Sequence, residues 1–326
     1  MGVHYPPTMD WVLLGIPVGI VMLYFGSDWL VDGAKKLALK LGIAPFVVGL
    51  TVIAFGSSAP EIITSIVSAK TPGIILGNVI GSNIVNIGVA IGVAALIAPL
   101  AAIYKTMRIE MAAMIGTALL LLALAFTGTV GLPFGIMLIA ILIAFVYIVY
   151  RTKVNDREGQ QAYASEAEGA DDSTSYPVLI ALIAVGLVLL YYGATFFVDG
   201  ATELAHMIGI SDFMVGLIIV AIGTSLPEIC ICALAAKRGE SDLAVSNIVG
   251  SNVFNATIVL GVGACLADIP VASNVLMIHL PVMILLSLMM FAFVYKRNEI
   301  GRMAGMSFLC VYIVYIAVLA CMPSLA

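Results

Sequence analysis

Long apolar blocks constrain the fold of this chain more than any other feature of its sequence. Ten such blocks lie at 11–31, 44–69, 73–98, 109–127, 131–151, 177–199, 213–236, 243–267, 273–295 and 303–323. An apolar stretch of about 20 residues crosses the hydrocarbon core of a bilayer as an α-helix. Only 10% of the 326 residues are charged, too few to cover the surface of a soluble protein. We therefore predict an all-α polytopic membrane protein with ten transmembrane helices.

The basic residues predict how these helices are oriented. Of the 14 lysines and arginines, all except Lys70 follow an odd-numbered block. Loops that carry such an excess of positive charge face the cytoplasm. The sequence thus predicts a multi-pass protein of the cell membrane with both termini extracellular and segment 152–176 in the cytoplasm.

Segment 152–176 is the one long polar stretch, and it is rich in acidic residues. Its mixture of Asp, Glu, Gly, Ser, Ala and Gln is typical of a flexible linker, although a weak regulatory cation site is an alternative. The net charge of the whole chain, −5, argues against a nucleic-acid partner.

The chain contains two copies of one sequence unit, one on each side of this linker. Ala54–Glu61 reads AFGSSAPE, and 167 residues later Ala221–Glu228 reads AIGTSLPE. At an offset of 169, Gly77–Asn86 (GNVIGSNIVN) matches Ser246–Asn255 (SNIVGSNVFN). We assign the first copy to residues 1–151 and the second to residues 177–326.

The number of spans in each copy predicts the class of protein. Each copy contains five spans, an odd number, so the second copy must enter the membrane upside down. Inverted repeats are typical of secondary transporters, which bind their substrate near the midplane at the repeat interface. The repeat therefore predicts a transporter rather than an enzyme.

Each copy places a single glutamate in the middle of a span, at Glu61 and at Glu228. A charged side chain at this depth costs roughly 2.5–3.5 kcal/mol or more, so its duplication calls for a function. A structural ion pair fails as an explanation because no Lys or Arg lies within the spans. A pair of buried protonated acids is an alternative; we favour cation binding.

The residues just before each glutamate supply oxygen ligands. Gly56 and Pro60 interrupt the helix in the first copy, because proline has no N–H and frees a carbonyl one turn earlier. A loose backbone at the glycine would also expose the carbonyls of Ala54 and Ser57. Hydroxyl side chains precede the glutamates by three or four residues and share their helical face: Ser57, Ser58, Thr224 and Ser225. Such ligands suit hard cations, namely Na⁺, Ca²⁺ or Mg²⁺.

Spans three and eight add a second polar layer. Ser82 and Asn86 share one face of span three, and Ser251 and Asn255 repeat this pair in span eight. The other asparagines of these spans lie on different faces, where we expect interhelical hydrogen bonds: Asn78, Asn83, Asn247 and Asn252. We expect three glycines of span three to allow close helix packing: Gly77, Gly81 and Gly88.

The motif Gly49-x-Thr51-Val-x-Ala54-x-Gly56-Ser57-Ser58-x-Pro60-Glu61, its second copy and the two Gly-Ser-Asn-x-x-Asn blocks resemble the alpha-repeats of the cation/calcium exchanger superfamily. The likeness is greatest to sodium/calcium exchangers of archaeal type, with the two alpha-repeats at 49–92 and 216–261. It implies ten helices and exchange of several Na⁺ for one Ca²⁺ by alternating access, with spans one and six sliding as gates. Na⁺ and Ca²⁺ would be transported ions, with no cofactor and no obligate protein partner.

The resemblance also implies a ligand set. Glu61 and Glu228 would bind Ca²⁺ together with the carbonyls of Ser57 and Thr224. One flanking sodium site would comprise Glu61 with Ala54, Ser58 and Ser251, and the other would comprise Glu228 with Ala221, Ser225 and Ser82. Asn86 and Asn255 would line the middle. The chain has Ser57 where the family motif often has threonine, and Asn255 where several microbial and potassium-dependent relatives have aspartate.

Three other functions compete with electrogenic, K⁺-independent Na⁺/Ca²⁺ exchange. A H⁺- or K⁺-coupled calcium antiporter is the alternative within the same class. A cation channel is disfavoured because an inverted repeat does not supply symmetry around one continuous pore. An intramembrane protease with two acids is disfavoured by the repeated Ser and Asn residues beside each glutamate.

Single cysteines introduced into a background without the five natural ones test the topology. A membrane-impermeant thiol reagent should label Ser165→Cys only from the cytoplasmic side, and Tyr5→Cys or Leu325→Cys only from outside, because of the sorting of basic residues. Labelling of Ser165→Cys from outside in right-side-out vesicles would reverse the topology.

Overall fold

The computed structural model describes residues 12–41, 45–67, 69, 72–154, 174–208 and 221–322. The first repeat contains α1 (Gly15–Leu41), α2 (45–57), α3 (Ala59–Val67), α4 (Gly73–Ile97), α5 (Tyr104–Ala125) and α6 (Leu132–Val154). The second contains α7 (Tyr176–Met207), α8 (Ala221–Thr224), α9 (Leu226–Lys237), α10 (Ser241–Leu266), α11 (Val275–Arg297) and α12 (Arg302–Cys321). Most of the predicted linker, residues 155–173, lies outside the described residues.

Among the described helices, seven are long and apolar enough to cross a membrane: α4, α5, α6, α7, α10, α11 and α12. The second predicted span is divided into α2 and α3, and the described part of the seventh is divided into α8 and α9. The protein is thus predominantly helical, as predicted, while the count of ten spans stays a prediction.

Helix α1 continues ten residues beyond the predicted end of the first span, from 31 to Leu41. The added segment, DGAKKLALKL, is rich in Ala, Leu and Lys, which favour helix formation, and it buries Gly33, Ala34 and Ala38. Lys35, Lys36 and Lys40, expected in a loop, therefore lie on this helix.

Two helices form the centre of the protein. In an 18-residue apolar stretch of each helix, 72% of the residues are buried in α4 and 83% in α10, against 28% in α6, α11 and α12. The three less buried helices therefore offer their apolar surface to lipid. The central pair carries the predicted Ser and Asn residues of spans three and eight.

Helices α1 and α7 cross at reciprocal glycines. A Cβ atom on Gly26 would lie 2.9 Å from the carbonyl oxygen of Gly186, and one on Gly186 would lie 2.9 Å from that of Gly26. The same relation holds two turns further along, where a Cβ on Gly19 would lie 2.6 Å from the carbonyl oxygen of Gly193. Small residues let membrane helices approach this closely, so the two backbones pack directly against each other.

Two ion pairs attach α1 to the turn between α9 and α10. Lys35 pairs with Glu240, and Arg238 pairs with Asp28. A third pair, Lys36–Asp32 at 2.8 Å, lies within α1. Because these side chains are partly exposed, each pair contributes modestly to stability, about 0–1 kcal/mol.

Two short antiparallel strand pairs join the repeats. Strand β1 (Leu100–Ala101) pairs with β4 (Glu299–Ile300), and β2 (Thr129–Val130) pairs with β3 (Ile269–Pro270). The loop after α4 therefore lies beside the loop after α11, and the loop after α5 lies beside the loop after α10.

The prediction of close packing at the glycines of α4 is confirmed for Gly88, and it stays a prediction for Gly77 and Gly81. A Cβ on Gly88 would lie 3.0 Å from Cβ of Tyr312 on α12. A Cβ on Gly77 or Gly81 would have no described neighbour within 4 Å.

Two glycine-to-alanine substitutions, one at the α1–α7 contact and one away from it, give a matched test of this contact. Gly26→Ala should lower the melting temperature of the purified protein by several degrees, because its Cβ must displace the α7 backbone. Gly116→Ala on the exposed face of α5, where a Cβ would have no described neighbour within 4 Å, should leave the melting temperature unchanged or raise it, since alanine favours helix by about 1 kcal/mol over glycine. Equal effects of the two substitutions would contradict the packing described here.

Candidate cation site

A break in the helix precedes each of the two mid-span glutamates. Ser58 (φ −83°, ψ 4°) separates α2 from α3, and Ser225 (φ −97°, ψ 9°) separates α8 from α9. Glu61 and Glu228 lie in the first turns of α3 and α9. Pro227 is accommodated in the first turn of α9, where a backbone N–H has no helical partner. The predicted interruption of both helices is confirmed.

Both glutamates are fully buried. None of their four carboxylate oxygens has a hydrogen-bond partner among the described residues. Removing an ionised carboxylate from water without a partner is very costly, so each one requires a proton or a cation for compensation. The N-terminal ends of α3 and α9 favour negative charge, but only by about 0.3–2 kcal/mol.

The two repeats meet at these side chains. The carboxylates of Glu61 and Glu228 are close enough to repel each other. The hydroxyls of Ser57 and Ser251 lie beside the Glu228 carboxylate without reaching hydrogen-bond geometry. Ser57 Oγ is also 3.4 Å from Asn247 Oδ1 and 3.5 Å from Ser251 Oγ. The resemblance grouped Ser251 with Glu61, whereas the structure places its hydroxyl beside Glu228.

Most of the predicted ligands are buried at this interface: Ala54, Ser57, Ser58, Glu61, Ser82, Asn86, Ser225, Glu228, Ser251 and Asn255. Thr224 is half-buried, and the side chain of Ala221 lies outside the described part of the chain. The hydroxyls of Ser58, Ser82 and Ser225 have no hydrogen-bond partner in the described ranges. They are therefore available as additional oxygen ligands.

The carbonyl of Ala54 is not exposed, contrary to expectation. Its oxygen accepts a hydrogen bond from the Ser58 N–H at 3.1 Å and lies 3.3 Å from Ser57 Oγ. The helical hydrogen-bond ladder thus extends through α2 to the break itself. Glycine at position 56 does not loosen the backbone enough to release this carbonyl.

Asparagines of α4 and α10 connect the repeats across the interface. Asn86 Nδ2 donates to Asn252 Oδ1 at 3.0 Å, and Asn83 Nδ2 donates to the main-chain oxygen of Asn252 at 3.2 Å. With the Ser57–Asn247 contact, these bonds confirm the expected interhelical role of Asn83, Asn247 and Asn252. Asn78 Nδ2 has no partner within the described residues.

Two π-helical turns begin at the predicted ligands Asn86 and Asn255. They cover Asn86–Ile91 in α4 and Asn255–Val259 in α10, at equivalent positions of the two repeats. Such turns widen the helix and are frequent at functional sites. No sequence signal predicted them, because the residues on either side are ordinary helix formers of a membrane span.

The buried polar residues that were not predicted include Ser65 and Glu110. Ser65 lies one turn after Glu61 and is fully buried with no partner for its hydroxyl in the described chain. Its four-residue spacing from Glu61 is the signal that could have identified it. Glu110 of α5 is also fully buried, although its place at the edge of an apolar block is typical of an interfacial residue.

Residues 11–151 and 178–320 match the protein family described as sodium/calcium exchanger protein. This chain belongs to that family. The two matched segments lie on either side of residues 152–177.

Individual relatives extend over nearly the whole chain. An uncharacterised membrane protein of Methanocaldococcus jannaschii is 34% identical, over 92% of this chain and 95% of its own length. The sodium/calcium exchanger MaX1 of Methanosarcina acetivorans is 30% identical, over 96% and 99%. The structure of the sodium-calcium exchanger NCX_Mj soaked with Na⁺ and Sr²⁺ superimposes with a TM-score of 0.82 and 31% identity, over 95% of this chain and 99% of that one.

Neutralising either glutamate should abolish calcium exchange while leaving the protein folded. Glutamine keeps the size of the side chain but removes the charge that a divalent cation requires. The measurement is ⁴⁵Ca²⁺ uptake into vesicles by Glu61→Gln and Glu228→Gln, with Glu299→Gln on the exposed strand β4 as the matched control. Wild-type exchange by a stably folded Glu61→Gln or Glu228→Gln protein would rule out this site.

Proposed function

We propose that this protein is a secondary antiporter that exchanges Na⁺ for Ca²⁺ across the cell membrane. One observation carries the proposal: two fully buried glutamates at equivalent repeat positions have no partner among the described residues and lie among neutral oxygen ligands. Membership of the sodium/calcium exchanger family and similarity to NCX_Mj support the choice of these two ions.

The charge of the site suits this exchange. Two carboxylates give a charge of −2, which one Ca²⁺ neutralises fully. Three Na⁺ would exceed it by one positive charge. Exchange of three Na⁺ for one Ca²⁺ then moves one net charge per cycle, a step worth roughly 2.3 kcal/mol per 100 mV of membrane potential.

The proposed architecture is ten spans arranged as two inverted repeats, and the strand pairs support it. Strands β1 and β4 follow predicted spans three and nine, and β2 and β3 follow spans four and eight. Inverted repeats put both members of each pair on the same side of the membrane. A second repeat in the same orientation as the first would put the paired strands on opposite sides, where they could not meet.

Alternating access in this proposal uses α1 and α7 as a joined gate. Their glycine contacts bring the two backbones together, so movement of one helix carries the other. The ion pairs of Lys35 with Glu240 and Asp28 with Arg238 attach the gate to the α9–α10 turn. These pairs are partly exposed and weak enough to break and reform as the gate slides.

Uptake of ⁴⁵Ca²⁺ into vesicles loaded with Na⁺ tests the proposed function. An exchanger takes up Ca²⁺ only when Na⁺ is present on the opposite side, whereas a channel does so without it. A proton-coupled antiporter follows a pH gradient instead, and a protease shows no flux. Uptake that is equal with Na⁺ and with choline inside would refute Na⁺/Ca²⁺ exchange.

Exchange should respond to membrane potential, because the family resemblance implies several Na⁺ for each Ca²⁺ and three Na⁺ would exceed the site charge of −2 by one. Uptake of ⁴⁵Ca²⁺ into Na⁺-loaded vesicles would then move one net positive charge out of the vesicle in each cycle. An inside-positive potential should therefore accelerate this uptake, and an inside-negative potential should slow it. Uptake that is indifferent to an imposed potential of either sign would contradict three-for-one exchange.

Exchange should not require K⁺, because the Asn255 side chain is similar in size to that of aspartate and offers a carbonyl oxygen but carries no charge. Adding K⁺ to a site already neutralised by Ca²⁺ would leave an uncompensated charge in a low-dielectric environment. The test compares uptake in K⁺ and in choline media, with Asn255→Asp as the variant expected to gain K⁺ stimulation. A several-fold loss of wild-type uptake without K⁺ would refute this.

A further inference from the structure

Asn252 is not a predicted ion ligand, but its side chain is hydrogen-bonded to a predicted ligand, Asn86. Its Oδ1 accepts the hydrogen bond from Asn86 Nδ2 at 3.0 Å, and its own Nδ2 lies 3.9 Å from the sulfur of Met114. Both asparagines are buried, with 2% and 0% exposure for Asn252 and Asn86. A chain of contacts thus runs from α5 through α10 to the middle of α4.

The donor and acceptor roles in these contacts decide which polar atom of the Asn86 side chain is left without a partner. A thioether accepts but does not donate, so Met114 favours the orientation of Asn252 that directs Nδ2 to sulfur and Oδ1 to Asn86. Asn86 must then direct its NH₂ group to Asn252. Its Oδ1 is left without a partner in the described chain. Only this oxygen can coordinate a cation; the NH₂ group would repel it.

The repeat symmetry produces the same three residues a second time, without the central bond. Asn83, Asn255 and Met283 are the repeat equivalents of Asn252, Asn86 and Met114. Asn83 Nδ2 lies 3.7 Å from the Met283 sulfur. However, Asn83 Oδ1 and both polar atoms of the Asn255 side chain have no partner within the described residues. The molecule therefore provides its own comparison, with one amide held in place and its equivalent not held.

We propose that Asn252 is a positioning residue that fixes Asn86 with its oxygen directed to the transported cation. This rests on the proposed function, in which the two glutamates and Asn86 surround that cation. Asn252 acts through Asn86 and does not itself bind the ion. Without Asn252, the Asn86 amide turns freely and presents its NH₂ group to the cation part of the time.

The first experiment compares two matched substitutions in vesicles. Asn252→Leu keeps the approximate volume and removes the acceptor for Asn86, so the KM for Ca²⁺ should rise about three- to tenfold, the range for loss of one hydrogen bond. Asn83→Leu removes an equally buried amide and its two contacts, but no predicted ligand depends on it. Its KM should change less than about twofold, a shift below that same range. A similar rise in both variants would overturn the proposal.

A second background separates positioning from packing. The carboxylate of Asn86→Asp has two equivalent oxygens and no NH₂ group, so its orientation does not need to be fixed. Adding Asn252→Leu to Asn86→Asp should therefore leave the KM for Ca²⁺ nearly unchanged. If Asn252→Leu weakens binding as much in this background as in the wild type, Asn252 acts through packing and the proposal is wrong.

Binding without transport gives an independent measurement. The rise in melting temperature that Ca²⁺ produces in the purified protein reports binding even for variants that do not transport. If the wild type showed no Na⁺-driven uptake, the proposed function would be wrong. The Ca²⁺-induced rise in melting temperature would still test the role of Asn252, because it does not depend on transport. Should Asn252→Leu not fold, Met114→Leu serves instead. It should weaken Ca²⁺ binding more than Met283→Leu does, and equal effects would overturn the proposal.

Discussion

The structure depends on one costly arrangement, two fully buried carboxylates that repel each other and have no partner among the described residues. Each would be unfavourable alone, and their mutual repulsion adds to the cost. A bound cation reverses both effects at once, since it pairs with both carboxylates. The cost explains why the surrounding groups are neutral oxygens, and why the helices break just before Glu61 and Glu228.

The duplication of the sequence unit makes this arrangement possible. Each repeat contributes one glutamate from the first turn of a half-helix, and the two meet only where the repeats face each other. The same symmetry relates the π-helical turns of α4 and α10, the two strand pairs and the glycine contacts of α1 with α7. The asparagines break the symmetry, because Asn86 is bonded to Asn252 while Asn255 has no partner among the described residues.

The sequence predicted the repeat, the helical class and the two glutamates, because these depend on local pattern and on the cost of burying charge. The helix breaks at Ser58 and Ser225 were also predictable from the nearby glycine and proline residues. The length of α1 was not predictable from the apolar block, which ends at residue 31. The helix continues to Leu41 because the following residues also favour helix formation. Spacing alone could not show that Gly26 meets the backbone of α7, because that depends on how helices distant in the sequence are packed. The orientation of the Asn86 amide likewise depends on Asn252 and Met114, which lie on other helices.

Equilibrium binding of ⁴⁵Ca²⁺ to the purified protein, at increasing concentrations of Na⁺, tests the central claim most directly. We predict that one Ca²⁺ binds per chain and that Na⁺ displaces it along a curve steeper than a single competing ion would give. Replacing both glutamates by glutamine should remove this binding. Calcium binding that Na⁺ does not displace, or that persists without the two carboxylates, would contradict that claim.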